Sequence, residues 1–139
     1  MRKLGIDYGD VRTGIAITDA LNITVQGLET IYNNGSDKII LKRLDEILEK
    51  YEIDTIVIGR PINMDGTPSK RTEITDRFIH KIKCKYNKFK IEIIDERLTT
   101  VAAHKTMNFL DINKNKKRNI VDTISAVYIL ETYLNKIKN

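Results

Sequence analysis

Apolar positions along the chain change their period several times, and each change marks an expected element. Lys3 to Asp7 reads as a short strand that stops at the turn signal Tyr8-Gly9-Asp10. Thr13 to Thr18 alternates small and β-branched residues, so the two segments are expected to form a hairpin. A third strand is expected within Ile23 to Tyr32, before Asn33-Asn34-Gly35 breaks the pattern and Ser36 offers an N-cap. From Lys38 to Tyr51, Ile40, Leu44, Ile47, Leu48 and Tyr51 recur at helical spacing. Thr55-Ile56-Val57-Ile58-Gly59 is a nearly unbroken apolar run, the pattern of a strand buried on both faces.

Arg60 to Arg71 is polar, holds both prolines (Pro61 and Pro68), and reads as a long loop of the kind that often carries function. A helix from about Thr72 to Tyr86 is expected to lead into a strand from Ile91 to Asp95. Thr99 or Thr100 is placed to cap a further helix ending near Leu110. The polar segment Asn113 to Asn119 then reads as a link to a last helix, near Ile120 to Ile137. No repeat or interdomain linker interrupts the 139 residues, so residues 1–139 form one expected domain. Strands in a hairpin followed by alternating helix and strand predict an α/β fold, a mixed sheet flanked by helices on both faces.

A hydrophobic content of 41% beside 31% charged residues describes a folded globular chain rather than a disordered one. No apolar run approaches the roughly 20 residues of a membrane helix. With no export signal evident, the expected location is cytoplasmic, with no membrane partner. Cys84 is the single cysteine, which excludes an internal disulfide and a multi-cysteine zinc site. Net charge is +5, and Lys114, Lys116, Lys117 and Arg118 concentrate part of it in one short segment. Such a cluster either tracks a nucleic-acid backbone without reading sequence or is one more solvated stretch of a Lys-rich chain.

Three acids fall at matched places. Asp7 ends the first strand and Glu96 follows a later one, both at the carboxyl edge where open α/β sheets bind ligands. Asp122 lies in the first turn of the last expected helix and shares a sector with Ala126, Ile129 and Tyr133, at the border of its buried stripe. Three converging carboxylates repel one another, and a divalent ion relieves that repulsion. Singly, each has an ordinary alternative: Asp7 shaping a turn, Asp122 meeting a helix dipole, Glu96 in a surface ion pair with Arg97. His80 and His104 fall in expected helices and read as structural or exposed.

Four segments together resemble one family. They are Gly5-Ile6-Asp7-Tyr8-Gly9 with Arg12, Gly14, Ala16 and Asp19; Gly59-Arg60-Pro61 through Met64-Asp65-Gly66; Asp95 through Thr100; and Val121-Asp122 through Ile129-Leu130. In order and spacing they are similar to the YqgF family, bacterial proteins that resemble Holliday-junction resolvases and are described as nucleases of pre-16S ribosomal RNA. Thr18 stands where that family usually has serine, Ser125 where alanine is common, and the stretch after Gly66 departs from its glycine-rich pattern.

The resemblance implies a ribonuclease-H-like fold, a cytoplasmic hydrolase, and a role in maturing the 5′ end of ribosomal RNA during ribosome biogenesis. By position, Asp7, Glu96 and Asp122 match the family's proposed catalytic acids. Hard oxygen ligands favour Mg²⁺ or Mn²⁺ over zinc, and two ions roughly 4 Å apart suit in-line phosphodiester hydrolysis. Asp7 is then the expected bridging ligand, with Glu96 and Asp122 each completing one ion's shell. Arg12 and Arg97 are expected near substrate phosphates, although Arg97 can equally pair with Asp95. Two rivals stay open: resolution of four-way DNA junctions, and a non-catalytic module that binds nucleic acid. An actin-like ATPase ranks low, since one copy of the fold is present without a glycine-rich adenosine motif. No dimer signature is legible, and the oligomeric state is left open.

Overall fold

A computed structural model describes residues 1–98 and 114–138, with the side chains of the last helix from Thr123 onward. The helix expected from Thr99 or Thr100 to Leu110, and His104 within it, lie outside the described residues.

Five strands, β1 (Arg2–Asp7), β2 (Arg12–Thr18), β3 (Val25–Tyr32), β4 (Ile53–Arg60) and β5 (Lys90–Asp95), form one mixed sheet in the order β3-β2-β1-β4-β5. β1 pairs antiparallel with β2, and β2 with β3, whereas β1–β4 and β4–β5 are parallel. The central strands carry the most apolar sequence because both their faces are covered. Leu4 and Ile6 of β1 and Ile56, Val57 and Ile58 of β4 are all fully buried.

Helices α1 (Asp37–Lys50) and α2 (Lys70–Lys85) connect β3 to β4 and β4 to β5. Both crossovers advance across the sheet in the same direction, so the right-handed rule sends them to the same face. There Ile40, Leu44 and Ile47 of α1 and Phe78, Ile79 and Ile82 of α2 pack with Leu4, Ile6, Ile15, Ile56 and Ile58. Ser36 occupies the N-cap position of α1 but its side chain makes no capping bond. α2 begins at Lys70, two residues before the expected start, because Ser69 and Thr72 form a reciprocal capping box.

The long helix α3 (Lys114–Lys138) covers the opposite face, where Ala126, Ile129, Leu130, Tyr133 and Leu134 meet Ala16, Val57 and Ile94. The ladder aligns Gly27, Ala16 and Gly5 in one row across β3, β2 and β1. That row lets the helix lie close to the sheet. A Cβ on Gly5 would stand 2.6 Å from Cγ of Leu130 and 3.0 Å from the carbonyl of Ala126. Among the described residues, no helix is long and apolar enough to cross a membrane.

Candidate active site

Asp7 closes β1 opposite Gly14 of β2, and the chain then turns back through Tyr8, Gly9, Asp10 and Val11. The turn is held from beneath by Asn33, a fully buried residue that follows β3. Its amide nitrogen donates to the carbonyls of Gly9 and Asp10, both at 3.0 Å, and its oxygen accepts from the Thr13 hydroxyl at 3.1 Å. Backbone N–H groups of Asn33, Asn34 and Gly35 complete the support on the carbonyls of Val11 and Asp10. The Asn-Asn-Gly stretch is therefore more than a strand breaker, since it supplies the donors that the β1–β2 turn lacks.

A second set of contacts clamps the turn from above. The Tyr8 ring stacks on Phe78 with centroids 4.1 Å apart, and its hydroxyl donates to Asp37 at 2.6 Å. Burial and the neighbouring Asp37 carboxylate push the phenol well above its ordinary pKa, so it remains a donor. Arg71, in the first turn of α2, lies over the same ring and donates to the Tyr8 carbonyl and the Asp10 carboxylate, each at 2.6 Å. Asn33 and Arg71 carry no local sequence signal, because each acts on a turn more than 20 residues away.

Glu96 leaves the end of β5 in a single 3₁₀ turn, Glu96–Leu98. Its side chain folds down over Gly59 of β4. A Cβ at position 59 would meet the Glu96 Oε1 at 2.7 Å and its Cγ at 2.9 Å. Alternation along β1 and β2 sets Asp7 and Arg12 on the α3 face, the face shared by Gly5 and Ala16. Gly59 also meets Ile129 of α3, so the Glu96 carboxylate belongs to this same face, at the carboxyl edge beside β1. Asp122 stands one turn ahead of Ala126 in α3, four residues before the carbonyl that touches Gly5. Its side chain lies outside the described residues.

One expectation is adjusted here. Lys114, Lys116, Lys117 and Arg118 do not form a link between helices: they are the opening turns of α3, which starts six residues before Ile120. Lys and Arg are good helix formers and the segment holds neither Gly nor Pro, so nothing in it stops the helix. Arg97 is engaged with Asp95, to which its Nε and Nη2 donate at 2.9 and 2.7 Å. Its Nη1 reaches the Met64 carbonyl at 3.3 Å. Asp95 is held below the usual carboxylate range by Arg97 and occupies the opposite face from Ile94, away from Asp7 and Glu96. His80 is exposed on α2 with Cys84 beside it at 3.6 Å, far in sequence from any of the three acids.

Residues 1–136 match the family model described as RuvX, Holliday junction resolvase. The chain belongs to the RuvX family. It is 55% identical over 137 residues to a relative from Ruminiclostridium cellulolyticum named "Putative pre-16S rRNA nuclease", an alignment covering 99% of this chain and 96% of that one. Relatives of the same name from Acetivibrio thermocellus and Clostridium acetobutylicum are 49% and 44% identical, over 96% and 99% of this chain and 95% and 100% of theirs. Among solved structures, the fold is similar to T. thermophilus RuvC in complex with a Holliday junction substrate (TM-score 0.58, 10% identity, 98% and 96% of the two chains). It is also similar to the fowlpox virus Holliday junction resolvase (TM-score 0.57, 15% identity, 99% of both chains). These likenesses identify the sheet and its flanking helices as a ribonuclease-H-like fold.

In this RuvX-family chain, no three Asp, Glu, His or Cys side chains converge among the described residues. Asp7 and Glu96 are the described acids on the α3 face of the carboxyl edge. The donor chemistry suits a hard divalent cation, since both offer carboxylate oxygens and, among the described residues, no His or Cys joins them in a group that could hold a metal. The open α-carbon of Gly59 is the cradle that lets the Glu96 carboxylate reach this edge.

Proposed function

We propose that this chain is a divalent-metal-dependent nuclease that hydrolyses phosphodiester bonds in the 5′-end maturation of pre-16S ribosomal RNA. The observation that carries the reading is the joint placement of Asp7 and Glu96 on one face of the carboxyl edge, with Glu96 seated on Gly59. Asp7, Glu96 and Asp122 would hold Mg²⁺ or Mn²⁺, two ions in all. Bound there, the metal supplies charge relief at the phosphate and a nucleophile at neutral pH.

The chain's own residues do the rest. The buttressed turn fixes the backbone from which Asp7 projects, so its carboxylate is preorganised before substrate arrives. Arg12 enters β2 at the same edge and face, within reach of a phosphate lying over Asp7. The four cations at the start of α3 put positive charge on a nucleic-acid backbone without selecting its sequence. The expected setting is the cytoplasm, where immature ribosomal RNA is found.

A second reading is favoured by the family description and by the two resolvase folds: cleavage of four-way DNA junctions. One experiment separates the readings. Purified protein with Mn²⁺ or Mg²⁺ is given RNA spanning the 5′ boundary of the small-subunit ribosomal RNA, and in parallel a synthetic four-way junction. Cleavage of the RNA, abolished in Asp7→Asn, Glu96→Gln and Asp122→Asn, supports RNA maturation. Paired symmetric incision of the junction with intact RNA reverses the ranking. Wild-type rates in all three amide variants would remove this site from the chemistry, whereas binding of either substrate without any cleavage would leave a binding module.

A further inference from the structure

Asp95 and Arg97 flank Glu96 in sequence, and their contacts form a clasp around it. The Asp95 Oδ1 accepts the backbone N–H of Arg97 at 2.9 Å, which closes an Asx turn with Glu96 as its central residue. Arg97 then returns along the outside of the turn to make its two-pronged contact with the same carboxylate. Its remaining nitrogen, Nη1, donates to the carbonyl of Met64, at the tip of the loop between Arg60 and Lys70.

That loop has its own internal order. The N–H of Asn63 donates to the Thr67 carbonyl, that of Gly66 to the Asn63 carbonyl, and Asp65 accepts from both the N–H and the hydroxyl of Thr67. Gly66 takes the positive φ, +89°, that the tight turn requires. On the other flank Arg60 holds Asp76 at 2.8 and 3.0 Å and adds its charge to the surroundings of Asp95.

We propose that Asp95 and Arg97 are positioning residues, which fix the backbone turn that seats Glu96 over Gly59 and clip the 61–69 loop beside it, and that Arg97 is not a phosphate ligand. The proposal rests on the nuclease reading for its effect on catalysis. The ion pair is about one-third exposed at Arg97, and pairs of that kind add only about 0–1 kcal/mol to folding. Global stability is therefore a poor explanation for a contact that uses every nitrogen of the guanidinium.

The test uses Asp95→Ala, Asp95→Asn, Arg97→Ala and Arg97→Lys in the full chain, with three measurements. Steady-state cleavage at saturating Mn²⁺ should show kcat falling about 10- to 100-fold in both alanine variants, the scale of a misplaced catalytic group. KM and the slope of log affinity against log salt should stay as in wild type. Asp95→Asn keeps an oxygen that can close the Asx turn, and should recover most of the kcat that Asp95→Ala forfeits. Arg97→Lys keeps the charge without the fork and should remain impaired. In a ¹³C-methyl NMR spectrum, the Met64 methyl should move in Arg97→Ala and Asp95→Ala.

The opposite pattern overturns the clasp: Arg97→Ala with unchanged kcat, raised KM and a salt slope shallower by about 0.7 to 0.9 makes Arg97 a phosphate ligand. Unchanged kinetics in all four variants overturn it as well. If wild type neither cleaves nor binds Mn²⁺ by calorimetry, the nuclease reading fails instead. The Met64 methyl and the exchange rate of the Arg97 amide then judge the clasp alone, and a fixed methyl with unchanged exchange refutes it.

Discussion

The Glu96 carboxylate rests on the α-carbon of Gly59, with room for hydrogen but not for a methyl group. Gly59→Ala would bring a Cβ to 2.7 Å from Oε1 of Glu96 and 2.5 Å from Cδ1 of Ile129. Both are ends of flexible side chains, so the fold should accommodate the change at about 1–3 kcal/mol. Glu96 must move to do so. We expect a melting temperature a few degrees lower, a cleavage rate reduced at least about tenfold, and weaker Mn²⁺ binding by calorimetry. Full activity in Gly59→Ala would detach Glu96 from the site.

Asn33→Ala removes the amide that pairs with the Gly9 and Asp10 carbonyls and with the buried Thr13 hydroxyl. Leaving buried polar groups unpaired costs about 1–3 kcal/mol. Urea denaturation should show a lower midpoint at constant slope. Cleavage per folded molecule should fall as well, because the Asp7 turn is then unsupported. A normal midpoint would mean that water replaces the amide.

Gly5 and Gly27 lie in the same row but should differ in sensitivity. A methyl on Gly5 meets the Ala126 carbonyl at 3.0 Å as well as Leu130, and a backbone atom cannot rotate away. The atoms nearest to a methyl on Gly27 all belong to the side chain of Thr123. Thermal melts should place Gly5→Ala about 1–3 kcal/mol below wild type and Gly27→Ala closer to it. Equal destabilisation would mean that α3 shifts as a rigid body.

Glu131, partly buried on α3, has its pKa raised by desolvation. A raised carboxylate disfavours its charged form in the fold, so the native state is penalised above the folded pKa and relieved below the unfolded one. Glu131→Gln should therefore melt higher than wild type near pH 7, by about 2 °C. The difference should shrink as pH falls toward and below the ordinary glutamate value. A constant difference across that range would assign the effect to packing.

Replacing Lys114, Lys116, Lys117 and Arg118 with serine should weaken binding to unrelated polynucleotides alike. The log–log salt slope should become shallower by about 0.7 to 0.9 for each phosphate that is no longer neutralised. An unchanged slope would return these turns of α3 to the role of a solvated helix end.

Periodicity was enough to locate every described strand and the helices α1 and α2 within about two residues, because burial on one or both faces imposes a local repeat. The positions of Asp7 and Glu96 at strand ends follow from the same repeat, since an apolar run that stops at an acid stops at an edge. Residues that act at a distance left no such trace. Asn33 reads as a breaker and Arg71 as the end of a loop, yet both hold the Asp7 turn from other parts of the chain.

Local chemistry alone thus determined the α/β class, the mixed sheet and the candidate acids at the end of β1 and just past β5, since each depends on a short run of neighbours. Tertiary structure alone decided that Gly5, Ala16 and Gly27 align beneath α3 and that Gly59 makes the seat for Glu96. It also decided that Arg97 closes on Asp95 and the Met64 carbonyl. Those relationships depend on strand register and helix approach, which are set by packing between segments far apart in sequence. A glycine in a strand looks the same in sequence whether a helix, a carboxylate or nothing lies above it, and only the folded neighbours tell these apart.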